Sequence, residues 1–193
     1  MRTWIITTLM ATLIIASPAL AQEPPATSGE RLLLVPPPNW QPVQLQRSEK
    51  MIVTRLYPPG QDEKSWTEIL TVQIYPNSNQ SARQFAESII QYTSDACEAT
   101  GPGPITEKAV NGYPTAIIPV ACSKGRSSGK GGFVLAMIIR GKDALYVIQR
   151  QWRGPPIGQH QAPAFPDGML RDWSNFTHTI GLCDTRDTRH PCP

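Results

Sequence analysis

A glycine-rich loop at residues 125–129 carries the pattern that most directly suggests catalysis. Its residues, Gly125-Arg126-Ser127-Ser128-Gly129, match G-x-S-x-G, the turn that exposes a nucleophilic serine in many hydrolases. That turn needs a strand before the serine and a helix after it. Here Gly131 and Gly132 lead into an apolar, strand-like run. We therefore favour a plain hairpin loop and keep a serine hydrolase as the alternative.

The same loop carries a cluster of cations. Lys124, Arg126 and Lys130 are close neighbours in the sequence, and such a cluster attracts an anionic surface or ligand. A phosphate-binding loop is excluded, because Lys124 and Gly131 stand where that motif needs a glycine and a serine or threonine. The three cations are candidate partner contacts, and the alternative is a solvated loop.

A second candidate contact lies on a strand further along the chain. Arg150 and Trp152 project to one face, because side chains alternate along a strand. A cation beside an aromatic ring can contact a polar ligand or a partner. The alternative is a salt-bridged outer face of the sheet.

On an earlier predicted strand, Glu68 and Trp66 fall on the apolar side. A carboxylate in that position needs an ion-pair partner or a solvent-filled cleft.

The N-terminal residues have the three parts of a secretory signal. Arg2 supplies the positive charge, an apolar run follows, and Ala19-Leu20-Ala21 forms the cleavage site. We predict a signal peptide at residues 1–21 and an exported protein, periplasmic or secreted, with no membrane span after cleavage. The polar, proline-rich stretch that follows predicts a disordered tail at residues 22–30.

The cysteines indicate two disulfides. An even number of them behind a secretory leader is typical of a disulfide framework. Among the three connectivities we favour Cys97–Cys122 and Cys183–Cys192, because each joins near neighbours across a turn-rich segment. The spacing that a cysteine and histidine metal site requires does not occur, so we expect no metal and no cofactor.

The rest of the mature chain predicts strands around two helices. Ser81 and Gln84 fit a capping box for a helix that ends at Cys97. Asp167 is the predicted cap of a second helix that runs to about Ile180. Strand-like runs joined by hairpin turns, one of them predicted at Asn111-Gly112, fill the remainder. This predicts a mainly antiparallel sheet with the two helices packed on it.

One predicted strand alternates clearly between apolar and polar residues. Leu70, Val72 and Ile74 share one face, while Thr71 and Gln73 lie on the other. This pattern indicates a half-buried strand. We predict the α+β class and a single domain over residues 31–193, whose C-terminal tail is pinned by its own disulfide.

Composition limits the class of partner. The chain has 193 residues, with 18 Lys and Arg against 15 Asp and Glu, a formal net charge of +3 at pH 7. Nucleic-acid-binding proteins carry a stronger and more clustered excess of positive charge. We therefore expect a protein partner or a small anionic ligand, and no nucleic acid.

Two segments carry a resemblance to known proteins. The run W-T-E-I-L-T-V-Q-I-Y at residues 66–75 and the ending, with Cys183-Asp184-Thr185-Arg186-Asp187 and the terminal His190-Pro191-Cys192-Pro193, resemble uncharacterised secreted or periplasmic proteins of Gram-negative bacteria. The order of elements is similar to the PsbP-like fold of photosystem II extrinsic subunits. This resemblance implies an antiparallel sheet between helices, and it implies no activity.

These observations favour a non-enzymatic protein. No paired catalytic residues, metal spacing or cofactor loop stands out in the sequence. We expect an exported, soluble binding or accessory module of the bacterial envelope. The alternatives are a secreted serine hydrolase that uses the G-x-S-x-G loop and an envelope-assembly subunit.

Overall fold

A computed structural model describes residues 29–158 and 161–193, without the side chain of Gln44. The predicted signal peptide, and residues 22–28 of the predicted tail, lie outside the described residues. The end of that tail is different from the prediction. Glu30 begins the first strand, and the Gly29 N–H donates to Thr185 Oγ1 at 3.0 Å, so both residues belong to the folded domain.

The described chain forms ten strands and two helices. In chain order they are β1 (Glu30–Leu33), β2 (Gln41–Arg47), β3 (Ile52–Tyr57), β4 (Glu68–Pro76), α1 (Ala82–Ala96), β5 (Thr100–Pro102), β6 (Thr106–Val110), β7 (Tyr113–Cys122), β8 (Gly131–Arg140), β9 (Ala144–Gly154), α2 (Met169–Thr179) and β10 (Gly181–Asp184). The α+β prediction, with two helices packed on a mainly antiparallel sheet, is confirmed.

The strands form two antiparallel sheets. The larger has the order β2-β3-β4-β9-β8-β7-β5, with β6 also paired to β7, and the smaller pairs β1 with β10. The predicted hairpin turn at Asn111-Gly112 is present, and both residues have the positive φ that its tight turn requires, 47° and 80°. The predicted disulfides Cys97–Cys122 and Cys183–Cys192 are confirmed.

Both helices form where apolar residues recur, but their beginnings differ. In α1 the predicted capping box is present, since Ser81 Oγ accepts from the Gln84 N–H and Gln84 Oε1 accepts from the Ser81 N–H. The cap predicted for α2 at Asp167 is wrong. Gly168 holds that position with φ 76°, a left-handed conformation that glycine adopts without strain, and no side chain caps the helix.

The two faces of the large sheet are covered differently. One face, here called the closed face, packs against α2 and the β1–β10 sheet, and Trp173 of α2 is fully buried there. On the other face, here called the open face, α1 packs over β7 and β8 through Ala82, Ala86 and Ile89. α1 also reaches Leu145 and Val147 of β9 and Tyr75 of β4, while the part of the open face that carries Arg55, Gln149, Gln151 and Arg153 lies beside α1.

Neither α1 nor α2 has the length and apolar character needed to cross a membrane.

Candidate functional site

A cleft of about 860 Å³ lies on the open face, between the flank of α1 and strands β3, β4 and β9. We call it the α1 cleft. Its floor is formed by strand side chains, one wall by α1, one end by two loops, and the opposite end by two aromatic rings. The residues that line it are Arg55, Tyr57, Glu63, Trp66, Ile69, Thr71, Gln73, Tyr75, Phe85, Ser88, Ile89, Tyr92, Thr93, Ala96, Cys97, Val120, Cys122, Gly125, Ser128, Lys130, Gly131, Gly132, Phe133, Val134, Gln149, Gln151, Trp152 and Arg153.

The floor of the α1 cleft is polar because β4 and β9 alternate. The amide of Gln149 donates to Gln73 Oε1 at 3.0 Å, and the amide of Gln151 donates to Gln149 Oε1, also at 3.0 Å. Thr71 lies opposite Gln149 in the strand register and is almost fully buried. This hydrogen-bonded row presents amide groups where the closed face of the same strands presents apolar side chains.

One end of the cleft is built by the loop between β3 and β4. Asp62 Oδ1 accepts from the N–H groups of Lys64 and Ser65 and from the Ser65 hydroxyl. These bonds lower the pKa of the Asp62 carboxyl, the Ser65 hydroxyl being the largest cause. The tight loop places the Trp66 ring 4.2 Å from the guanidinium of Arg153. The aromatic ring and the cation thus form one rigid unit at the rim.

The loop that carries the predicted cations closes the same end. Gly125 N–H donates to Lys130 O at 2.8 Å, and Arg126 N–H donates to Ala96 O, the last carbonyl of α1, also at 2.8 Å. Lys124 Nζ forms an ion pair with Glu98 at 2.8 Å, outside the cleft. Of the three predicted contacts only Lys130 lines the cleft, while Arg126 is exposed beside it.

The G-x-S-x-G loop lacks the geometry of a hydrolase. Residues 126–128 form a turn, and the chain then enters β8 instead of a helix, so the serine is not held at a strand-to-helix elbow. Ser128 Oγ accepts from the Lys130 N–H at 3.2 Å, a bond within the turn itself. In the described part of the chain, no histidine lines the α1 cleft.

The predicted contacts Arg150 and Trp152 lie inside the protein. Both are buried on the closed face, with 7% and 5% of their surfaces exposed. The Arg150 guanidinium bonds to Glu68 at 3.1 Å and lies 5.0 Å from the ring of Trp40 and 5.2 Å from that of Trp173. Burial lowers the pKa of Arg150, and Glu68 opposes that shift. Arg150 was wrongly predicted as a surface contact, because α2 covers it, and Trp152 is equally buried although it is among the residues that line the α1 cleft.

Glu68 and Trp66 do not share a face. The strand begins at Glu68, so Trp66 lies in the preceding loop and does not follow the alternation of the strand. Its ring lies against Arg153 on the open face. Glu68 points to the closed face and pairs with Arg150. The inward carboxylate therefore has an ion-pair partner, and Trp66 alone lines the cleft.

The walls of the α1 cleft are aromatic. The rings of Tyr75 and Phe85 meet at 5.1 Å and close the end opposite Lys130. Tyr92 projects from α1 with 76% of its surface exposed. Burial raises the pKa of Tyr57 and of Tyr75, so both phenols are neutral near pH 7. An exposed tyrosine beside a polar floor is typical of a contact surface.

A second polar region, the tail cluster, lies at the C-terminus in residues 184–190. Arg186 bonds to Asp184 at 2.9 Å and to Asp143 at 2.6 Å, while Asp187 pairs with Lys142 and Arg189. The ring of His190 stacks on Tyr113 at 4.0 Å. The ion pairs of this cluster hold the tail against the turn between β8 and β9, and His190 Nδ1 lies 2.7 Å from the Asn111 carbonyl oxygen in the turn between β6 and β7, so the cluster stabilises the position of the tail.

The described residues contain no group of three or more His, Cys, Asp or Glu that could hold a metal ion. The sequence reasoning missed the main cleft residues Arg153, Gln149 and Gln151. These residues follow the same alternation that separates Thr71 and Gln73 from the apolar face of β4. Extending that pattern from β4 to β9 would have identified the polar floor.

The fold has counterparts among solved structures. One is the Saccharomyces cerevisiae Ran-binding protein Mog1p, which is 11% identical, with a TM-score of 0.52 over 83% of this chain and 98% of that chain. Another is a single-residue variant of Mog1, 12% identical, with a TM-score of 0.51 over 80% of this chain and 92% of that chain. At such identities the likeness shows the fold alone. No protein-family model and no curated protein matches the chain.

This comparison corrects two expectations. The two matching structures described above are both Mog1 structures, and the likeness to Mog1 replaces the predicted resemblance to PsbP-like proteins and to secreted proteins of Gram-negative bacteria. The expected role as a binding or accessory module of the bacterial envelope rested on that resemblance. It is overturned, together with its alternatives, the secreted serine hydrolase and the envelope-assembly subunit.

Proposed function

We propose that this chain is a protein-binding module and that the α1 cleft is its contact surface. The proposal is based on the part of the open face that α1 leaves uncovered. There, polar and cationic side chains occupy strand positions that a second helix would otherwise cover. The yeast protein of the same fold is named as a Ran-binding protein, which supports a folded protein as the class of partner.

The shape of the α1 cleft supports a protein partner over an enclosed small ligand. The cleft is open along the strands, and Tyr92 stands on its rim with 76% of its surface exposed. Tyrosine and arginine are enriched where protein interfaces concentrate their binding energy. A partner that covers Tyr92, Trp66 and Arg153 together would bury an aromatic and cationic patch that the core of the domain does not use.

Gly132 offers a way to block the cleft without disturbing the fold. It lies in β8 beside Arg153 of β9 and Cys122 of β7. A Cβ at this position would lie 3.6 Å from the Trp152 carbonyl oxygen and 3.7 Å from Cys122 Cβ, both ordinary contacts. A leucine side chain here would extend into the floor of the cleft. Gly101 in β5 is a matched control, because its Cβ would lie 3.7 Å from Ala121 Cβ, outside the α1 cleft.

The test combines capture with blocking. A photo-crosslinking amino acid in place of Tyr92 would capture the partner, which would then be purified and titrated by calorimetry. Purified Ran is the first partner to titrate. Gly132→Leu should weaken binding at least ten-fold, while Gly101→Leu should bind like the unmodified protein. Equal binding by both variants would show that the partner contacts another surface, and the proposal would fail.

Export to an oxidising compartment is a separate proposal. The predicted leader at residues 1–21 supports it, and so do the two disulfides, since such bonds persist outside the reducing cytosol. The mass of the protein isolated from its host would test it. Cleavage before Gln22 and the absence of free thiols are the expected results, and an intact N-terminus with four free thiols would contradict the proposal.

A further inference from the structure

The charges that line the α1 cleft are unequal. Its cations are Arg55, Lys130 and Arg153, and its carboxylate is Glu63. Arg55 and Glu63 lie 3.7 Å apart and offset each other. In the described part of the chain, no carboxylate lies within ion-pair distance of Lys130 or Arg153. The cleft is therefore positive at the end where these two residues lie.

Arg153 is held in place without losing its charge. Its Nε donates to the Trp66 carbonyl oxygen, and its Nη2 donates to the Lys64 carbonyl oxygen at 2.6 Å. Both acceptors are neutral, so the guanidinium is oriented but not neutralised. The Trp66 ring 4.2 Å away restricts it further. A cation fixed in this way loses little conformational entropy when it binds an anion.

The strand register places the two uncompensated cations at the same end. Gly132 pairs with Arg153, and Lys130 precedes β8 by one residue. Gly132 has no side chain, so the floor is open beside the guanidinium. At the nearby end of α1, the Ala96 carbonyl oxygen accepts from the Arg126 N–H at 2.8 Å.

The opposite end of the cleft is aromatic, formed by Tyr75 and Phe85. We infer that the α1 cleft binds a carboxylate-bearing segment of its protein partner, with the carboxylate between Lys130 and Arg153 and an apolar side chain toward Tyr75. This inference rests on the proposed function and specifies its chemistry. A phosphate polymer would meet the same cations, but the net charge of +3 and the aromatic end favour an acidic peptide.

Short fluorescent peptides give a direct test. One peptide would alternate glutamate with phenylalanine, and two counterparts would carry glutamine or lysine in place of glutamate. Binding to the whole protein would be followed by anisotropy. We expect the glutamate peptide to bind at least ten times more tightly than either counterpart, and less tightly as salt rises. Equal binding of all three peptides, no binding of the glutamate peptide, or tighter binding of a short RNA would overturn the inference.

Two variants in one loop locate the anion. Lys130→Gln removes a cation from the cleft, and Arg126→Gln removes an exposed cation beside it. We expect Lys130→Gln to weaken binding of the glutamate peptide about three-fold, which is the size of effect expected for an exposed ion pair. Arg153→Gln should weaken it about ten-fold, because its guanidinium is preorganised. Arg126→Gln should have no effect, and an equal loss in Arg126→Gln and Lys130→Gln would contradict a located site.

These results separate this inference from the proposed function. If Gly132→Leu weakens binding of the captured partner but the glutamate peptide does not bind, the cleft is the contact surface and the inferred specificity for acidic peptides is wrong. If the glutamate peptide binds but Gly132→Leu leaves the captured partner unaffected, the cleft is an acidic-peptide site and the protein interface lies elsewhere.

Discussion

Arg150 and Arg153 lie three positions apart on β9 and have opposite surroundings. Arg150 projects to the closed face, where it bonds to Glu68 at 3.1 Å among aromatic rings. Arg153 projects to the open face, where it stacks on Trp66 and donates to neutral carbonyl oxygens. Two identical side chains on one strand are thus a stabilising group and a binding group. The difference comes from what packs over each face.

The largest expected loss of stability comes from breaking the ion pair on the closed face. Glu68→Gln removes the charge that balances buried Arg150 and should lower the free energy of unfolding by about 4 kcal/mol, since a buried cation is left without its partner. Urea denaturation at neutral pH would measure the loss.

The matched control lies on the open face. Glu63→Gln breaks the exposed pair with Arg55 and should cost about 0.5 kcal/mol or less. Similar losses in the two variants would show that the faces do not differ as the structure indicates.

The next effect concerns the disulfide that joins the end of α1 to β7. Replacing Cys97 and Cys122 by alanine opens a loop whose ends are 25 positions apart. Chain entropy alone predicts a loss of about 3.5 kcal/mol in the free energy of unfolding. Both cysteines line the α1 cleft, so binding of the glutamate peptide should also weaken.

The Cys183–Cys192 pair provides the comparison. Its replacement by alanine should cost about 2.7 kcal/mol by the same reasoning and should leave peptide binding unchanged. A loss of binding in this variant would link the tail cluster to the cleft, which the structure does not indicate.

Acid should weaken the tail cluster before it affects the cleft floor. Hydrogen bonds from Arg186 lower the pKa of Asp184 to about 2, from its ordinary 3.8. A folded-state pKa below the unfolded value stabilises the fold fully above about pH 4, and the stabilisation is lost as the pH falls toward 2. The urea midpoint should therefore fall between pH 5 and pH 2.5.

Asp184→Asn should reduce that dependence on pH. A residual fall is expected from Asp187, whose pKa is lowered by its bonds to Arg189 and Lys142. Parallel curves for the variant and the unmodified protein would show that Asp184 does not contribute.

Arg153 on the open face should contribute much less to stability than the Arg150–Glu68 pair on the closed face. Arg153→Gln loses a cation–aromatic contact and two hydrogen bonds at a partly exposed site, which should cost about 1 kcal/mol. Peptide binding should weaken about ten-fold in the same variant. A loss of stability as large as that of Glu68→Gln would make Arg153 a structural residue like Arg150.

Local sequence patterns predicted much of the fold. The capping box at Ser81, the turn at Asn111-Gly112 and both cysteine pairings depend on residues close in sequence, and each is present as predicted. Strand β10 was missed because it is only four residues long and forms by pairing with β1, some 150 positions earlier in the chain. The predicted cap at Asp167 failed because Gly168 takes the left-handed conformation that begins α2.

The sequence by itself determined that side chains along β4 and β9 alternate between the two faces of the sheet, because alternation is a property of the extended backbone. It did not determine which polar groups stay accessible. That was decided by the packing of α2 over Arg150, and by the packing of α1 over β7, β8 and the Leu145–Val147 part of β9 but beside Gln149, Gln151 and Arg153. Coverage depends on contacts between segments far apart in the chain. For that reason Arg150 was predicted as a surface contact, while Arg153, on the face left open, was overlooked.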